Sequence, residues 1–280
     1  MSKLPALPRQ RGRRQTGFWV AVVTIAIFAL LAIFGPLITP YPPNQLNLVN
    51  AYASFSLHNP FGTDSLGRDT LSRLMVGTRS TIIAPLVIVI LAGVVGSLAG
   101  LVMGWRSGWA DWTLSRSADI LLAFPALLMA ILAVALFGKG IIGPVVGMSI
   151  AYTPVLARFV RGLVVAERHR TYVAAYLVQG MGPARVAVTK LLPNVVPLIM
   201  GQLVLIFGYA LLDMTALSFL GFGVQPPDAD WGSMVGQGRD AILTGTPEAA
   251  LVPAVAIVIV VTAVNLVGTW FADRSRGVSR

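Results

Sequence analysis

The sequence predicts an all-α integral membrane protein with six transmembrane helices. Three observations carry that expectation. The 280 residues are 56% hydrophobic and only 11% charged, whereas a soluble domain carries about 25% charged residues. The mean hydropathy is +0.77, which is more apolar surface than one soluble core can hide, so lipid must solvate much of it. Six apolar stretches are each long enough to cross a hydrocarbon core of about 30 Å at about 1.5 Å per residue.

Those stretches are Phe18–Ile38, Thr81–Trp105, Thr113–Phe137, Ile141–Val165, Val195–Leu220 and Ala249–Phe271. Residues 1–17 form a basic leader with Lys3, Arg9, Arg11, Arg13 and Arg14. The run after it is longer than a signal-peptide core, and Thr39-Pro40-Tyr41-Pro42-Pro43 offers no small-residue cleavage site, so a retained first helix is expected. Residues 39–80 start Pro-rich and are expected to end in a short surface helix. Thr63 or Asp64 would cap it, and Asp64–Arg68 and Asp69–Arg73 would support it as i,i+4 pairs. Five helices over 81–272 make the core, with polar loops at 166–194 and 221–248 and a tail at 273–280. Gly138-Lys139-Gly140 is a tight turn between the third and fourth helices. Pro85, Pro125 and Pro154 are candidate kinks.

Charge orients the spans. With the N-terminus inside and the spans alternating, sixteen of the 21 lysines and arginines fall inside; Arg68, Arg73, Arg79, Lys139 and Arg239 fall outside. That bias puts both termini in the cytoplasm and makes 39–80 extracytoplasmic. Trp19, Trp105, Trp109, Trp112 and Trp270 lie at or beside span ends, as interfacial tryptophans do. The net charge of +10 therefore reads as membrane flanking charge, and no nucleic-acid partner is expected.

Catalytic chemistry finds few residues. There is no cysteine, which excludes disulfides, thiol nucleophiles and cysteine-bound metal. His58 and His169 lie in different loops without a ligand-spaced partner, so no metal site is expected. Gly147-Met148-Ser149-Ile150-Ala151 approaches a G-x-S-x-G pattern, but no span contains a histidine to serve as base. Asp119 and Asp213 lie within spans at different depths, outside the contexts of an intramembrane aspartyl protease. Asp119 is placed to pair with Arg116 or Arg158. Asp213 lines a polar path, contacts another subunit, or makes a helix–helix hydrogen bond. No G-x-x-x-x-G-K-[ST] motif is present, so the chain holds no P-loop of its own. A lone ion-coupled transporter would need more buried ionisable groups and inverted repeats. Ala92, Gly96, Gly100 and Gly104, four apart, form a stripe that lets another helix approach closely, in this chain or a partner.

The polar interlude Glu167–Asn194 is the remaining candidate. Residues 172–182 form a short helix with Tyr172, Ala175, Tyr176 and Gln179 on one side, ended at Gly180. A second apolar run, Val186–Leu192, leads to Pro193. The alternatives are a solvated helical hairpin and a docking element for a cytosolic partner.

This interlude resembles the EAA loop of ABC importer permeases, a Glu-Ala-Ala, three residues, Gly, then about ten residues to an aliphatic-Leu-Pro. Ala174-Ala175-Tyr176, Gly180 and Leu191-Leu192-Pro193-Asn194 fall on that frame, with Ala174 where the family has Glu. FGTDSLGRDTLSRLMVGTRST (61–81) and ALSFLGFGVQPPDADWGSM (216–234) are similar to signature segments of the C-type permease of oligopeptide/dipeptide importers. Asp213 stands where that family has a Glu, and Ser218 lies in the same Ala-Leu-Ser-Phe-Leu-Gly run. The resemblance implies a type I ABC importer permease fold and transport of peptides, with nickel, glutathione or haem as alternatives. It implies ATPase coupling through Tyr172, Ala174, Ala175, Gly180, Leu192, Pro193 and Asn194. Asp213 and Ser218 would serve the path or an inter-subunit contact. The implied partners are a related B-type permease, two ATPase subunits or one fused ATPase that bind ATP and Mg, and an extracytoplasmic substrate-binding protein. The implied location is the bacterial cytoplasmic membrane.

Overall fold

The computed structural model describes residues 11–106, 108–243 and 245–277, with side chains over 15–271 of that range. Lys3 and Arg9 of the basic leader lie outside it. Long helices are α1 (Arg11–Ile38), α2 (Thr70–Trp105), α5 (Ile142–Arg168), α8 (Leu192–Phe219) and α11 (Glu248–Gly277). Shorter ones are α3 (Trp109–Leu122), α4 (Ala126–Phe137), α6 (Thr171–Val178), α7 (Pro183–Val186), α9 (Trp231–Gln237) and α10 (Arg239–Leu243). Five single helices are long and apolar enough to cross a membrane, or six spans if α3 and α4 are one broken span.

The core forms where α2 and α5 run against each other. Ile88, Met148, Leu156, Val160, Val164, Ile206 and Leu217 are fully or almost fully buried there. A second cluster joins Leu211 of α8, Trp231 and Met234 of α9, and Val260 and Val264 of α11. Helix α1 lies at the periphery. Its Phe18 ring stacks on Trp270 at 4.1 Å, and Phe28 meets Trp231 edge-on at 5.4 Å. Its other face, including Trp19, Val20, Val23 and Leu30, is uncovered and apolar, as a lipid-facing surface requires.

The third apolar stretch is not one helix. It breaks at Ala123-Phe124-Pro125 into α3 and α4, set at 86° to each other. Pro125 has no N–H for the carbonyl four residues back, and its ring excludes the helical conformation from Phe124. The chain closes instead with a tight turn, Phe124 N–H to Leu121 O at 3.2 Å. With 12 residues, α4 is about 18 Å long and cannot span alone. Pro85 and Pro154, by contrast, lie inside continuous helices.

The surface helix expected within 39–80 is the beginning of α2. Its cap is Asp69, which accepts from Ser72 N at 2.8 Å and Ser72 Oγ at 2.6 Å. Asp64 instead folds the preceding loop, accepting from Leu66 N and Arg68 N. The Asp64–Arg68 pair forms at 2.7 Å. The expected Asp69–Arg73 pair is replaced by a contact of Arg73 with Asp64 at 3.6 Å, because Asp69 is committed to the cap.

Candidate functional site

Segment 166–194 holds one separate short helix, α6; α7 runs through a π-helical turn at Ala187–Leu191 straight into α8, so Pro183–Phe219 is one helical run that begins well before the Val195 expected from sequence. Helix α6 ends in a Schellman turn: Gly180 N donates to Leu177 O and Met181 N to Tyr176 O, at 3.0 and 3.1 Å. Gly180 takes φ +84° there, which a residue with a Cβ adopts only with strain. Pro183 starts α7, where its fixed φ and missing donor cost nothing. Val173, Val186, Ala187 and Leu191 anchor the segment to the bundle, each nearly or fully buried. Ala174, Ala175, Pro193, Asn194 and Gly180 are exposed, and Leu192 is half-buried. Leu177 and Val178 are uncovered too, Val178 at 88%. A Cβ built on Gly180 would meet no atom within 4 Å.

Tyr172 joins three helices. Its hydroxyl donates to Glu167 Oε1 of α5, and Asn194 Nδ2 of α8 donates to the Tyr172 hydroxyl oxygen, both at 3.0 Å. Burial pushes the Tyr172 phenol above its ordinary pKa; the Asn194 donor opposes that shift and the Glu167 carboxylate adds to it. Lys190 Nζ sits 4.9 Å from the Tyr176 ring centroid, within cation–π range. Arg168 Nη1 donates to Gly104 O at 2.9 Å, closing the C-terminal end of α2 with a cation. Glu167 was not singled out from sequence. It lies five residues before Tyr172, a spacing that no helix brings face to face; the turn at His169 and Arg170 does so.

The glycine stripe packs within the chain. A Cβ on Gly96 would stand 2.8 Å from Thr153 O, on Gly100 2.5 Å from Ala157 O, and on Gly104 2.6 Å from Val164 Cβ. All three neighbours belong to α5, so the close approach that the four-residue spacing predicts is the α2–α5 crossing.

The two carboxylates that the sequence placed within spans hold different partners. Asp213 Oδ2 accepts from the Tyr152 hydroxyl at 2.7 Å, joining α8 to α5. Tyr209, one turn before Asp213, is 57% exposed, so this polar face is open on one side. Asp119 pairs with Arg158, and Asp111 holds Arg161 in a two-bond fork at 2.7 Å each. Ser149 Oγ donates to Val145 O of its own helix at 2.6 Å. Ser218 is 2% exposed, buried beneath Gly223 and Gly232.

The opposite end of α8, about 40 Å away along its 28 residues, is a network of buried polar groups. Asp230 caps α9 through Ser233 N at 3.0 Å and accepts from Thr81 Oγ1 at 3.1 Å. Trp231 is fully buried and donates through Nε1 to Leu74 O. Arg73, 1% exposed, donates to Pro43 O, Asn44 Oδ1 and Pro227 O. Arg68 reaches Gln237 Oε1 at 2.9 Å. The sequence reading put Arg68 and Arg73 on a surface helix, with no sign that they were interior.

Fold and polar groups together define a multi-pass helical membrane protein with a structured, uncovered segment between α5 and α8. Comparison with known proteins narrows the class. Residues 96–276 match the family described as binding-protein-dependent transport system inner membrane component. Residues 9–58 match the N-terminal TM domain of oligopeptide transport permease C. The chain belongs to this family of type I ABC permeases. It is 35% identical over 254 residues to the dipeptide transport system permease protein DppC of Alkalihalophilus pseudofirmus, covering 91% of this chain and 83% of that one. A di/tripeptide transport system permease protein from Pseudomonas aeruginosa is 36% identical over 258 residues, with 88% and 83% covered. A glutathione transport system permease protein from Escherichia coli is 34% identical over 265 residues, with 94% and 87% covered.

Proposed function

We propose that this chain is the C-type permease subunit of an ATP-driven importer for di- and oligopeptides. Segment 166–194 faces the cytoplasm and docks an ATPase subunit, which binds ATP and Mg; the chain binds neither. A B-type permease completes the path, and an extracytoplasmic binding protein delivers the substrate. ATP binding closes the ATPases, the docked segment moves, and the path turns from outside to inside. Asp213 lines that path or the contact with the second permease. The observation that carries the reading is the uncovered surface of Ala174, Ala175, Leu177 and Val178 on a segment tied to α5 and α8 through Tyr172. An apolar surface on a helix held that firmly is built to be covered and to pass on movement.

The peptide assignment follows the dipeptide and di/tripeptide relatives. Glutathione, itself a peptide, is the competing substrate, given a relative of similar identity. Affinity purification of the tagged chain from native membranes is expected to bring down an ATPase and a second permease. Proteoliposomes of that complex, with the binding protein added, should accumulate labelled dipeptide only with ATP. Uptake by the chain alone, without ATPase, would overturn the proposal. Accumulation of glutathione in preference to dipeptide would replace the substrate.

A further inference from the structure

We propose that the cleft between α3 and α5 binds the headgroup phosphate of an acidic membrane phospholipid. The cleft has a volume of about 330 Å³, and Asp111, Trp112, Ser115, Arg116, Asp119 and Arg161 line it. Its two acids are already engaged, Asp111 by Arg161 and Asp119 by Arg158. Ser115 Oγ donates to Asp111 at 3.0 Å. Arg116 is exposed and has no ion-pair or hydrogen-bond partner among the described residues. The cleft therefore carries an unspent guanidinium, a fork of donors that suits a phosphate.

Two features make the anion a lipid. Trp109 and Trp112, three residues apart on α3, share a face and are 80% and 67% exposed. Indole rings on an open face beside a span end belong at headgroup level. The second feature is the tilt of α3. Close contacts of Gly143 with Val134 and of Gly147 with Ala130 run α4 antiparallel along α5, and α3 is turned 86° from α4. With α4 following a span, α3 leans towards the membrane plane, bringing its tryptophans and Arg116 to the bilayer surface. Exposed Arg106 at the end of α2 adds a second cation nearby in sequence. A cleft between helices at that level, with its acids neutralised by Arg161 and Arg158 and the Arg116 guanidinium left over, is a site for an anionic headgroup.

The test exchanges the intact protein, with the subunits that accompany it, into nanodiscs of equal phosphatidylglycerol and phosphatidylcholine. Native mass spectrometry then counts the lipids retained. The wild type should retain phosphatidylglycerol preferentially, and Arg116→Gln should cut that preference about fivefold. Lys139→Gln, in the exposed turn between α4 and α5, should leave it intact. Trp109→Ala with Trp112→Ala should lower retention of both lipids. Arg116 is exposed and unpaired, so its variant should keep the wild-type unfolding temperature, and the comparison reports binding rather than folding. Equal retention of the two lipids by the wild type would overturn the proposal. So would an unchanged preference in Arg116→Gln. Loss of the preference in sodium phosphate, against sodium chloride of matched ionic strength, would reassign the cleft to a free anion.

Discussion

At the α9 end of the bundle, charge is buried; at the segment 166–194, it is on the surface. Arg73 and Asp230 are 1% and 4% exposed, each held by partners from distant parts of the chain. Tyr172, Glu167, Arg170, Lys190 and Asn194 make a comparable number of polar contacts, but none of these residues is buried. The difference teaches what each end is for. A buried donor or acceptor that loses its partner keeps its desolvation cost, so the α9 end resists rearrangement. A surface contact that opens is resolvated, so the loop end is ordered cheaply and remains free to meet another surface. One end fixes the helices relative to each other; the other offers a rigid but uncovered handle.

The largest effect should come from the α9 end. Asp230→Ala removes a helix cap and strips Thr81 Oγ1 of its acceptor, with an expected loss of about 2–4 kcal/mol. Thermal unfolding of the purified protein in detergent measures it. A variant as stable as the wild type would show that burial at this end is not what holds the helices.

The loop should answer the opposite way. Gly180→Arg is expected to abolish uptake while the protein inserts and stays folded, because the side chain projects into open space on the surface proposed to dock the ATPase. The positive φ adds a local strain of about 1–2 kcal/mol. Gly180→Ala carries the same strain without the bulk, so it should keep most of the uptake. Equal loss in both would make Gly180 a helix cap and nothing more. Tyr172→Phe is milder still. It deletes contacts to Glu167 and Asn194 at below about 1 kcal/mol, yet should lower substrate moved per ATP hydrolysed. An unchanged ratio would remove Tyr172 from transmission.

The contrast between the ends was only half legible in the sequence. Periodic apolar length announced the spans, and four-residue glycine spacing announced a close crossing, since both are local patterns. The break at Pro125 was visible as a kink but not as an 86° turn, because the angle depends on what α4 packs against. The end of the short helix at Gly180 was readable from the glycine itself. Glu167 and Tyr152 were not, because their partners Tyr172 and Asp213 reach them through a turn and through helix packing. The burial of Arg73 and Asp230 was least legible. A charged residue on an expected surface helix or in a loop reads as solvated until distant segments, here Pro43, Asn44, Pro227 and Thr81, are seen to enclose it.

The smallest expected effect separates charge from hydrogen bonding at the α9 end. Burial holds the Asp230 carboxyl above the usual carboxylate range, although Ser233 N and Thr81 Oγ1 donate to it and pull the other way. The folded protein therefore binds this proton more tightly than the unfolded chain does. The resulting stability is fully present below the unfolded value of about 3.9 and fades as pH rises through the raised one. Asp230→Asn keeps an oxygen to accept from Ser233 N or Thr81 Oγ1 but has no charge to desolvate. It should lie close to the wild type in acid and gain on it towards neutral pH, in contrast to Asp230→Ala, which is worse throughout. Unfolding temperatures of the three proteins from pH 4.5 to 7.5 make the comparison. Parallel profiles for Asp and Asn would mean that the donors outweigh burial, and that the α9 end is held by a stabilised charge rather than a tolerated one.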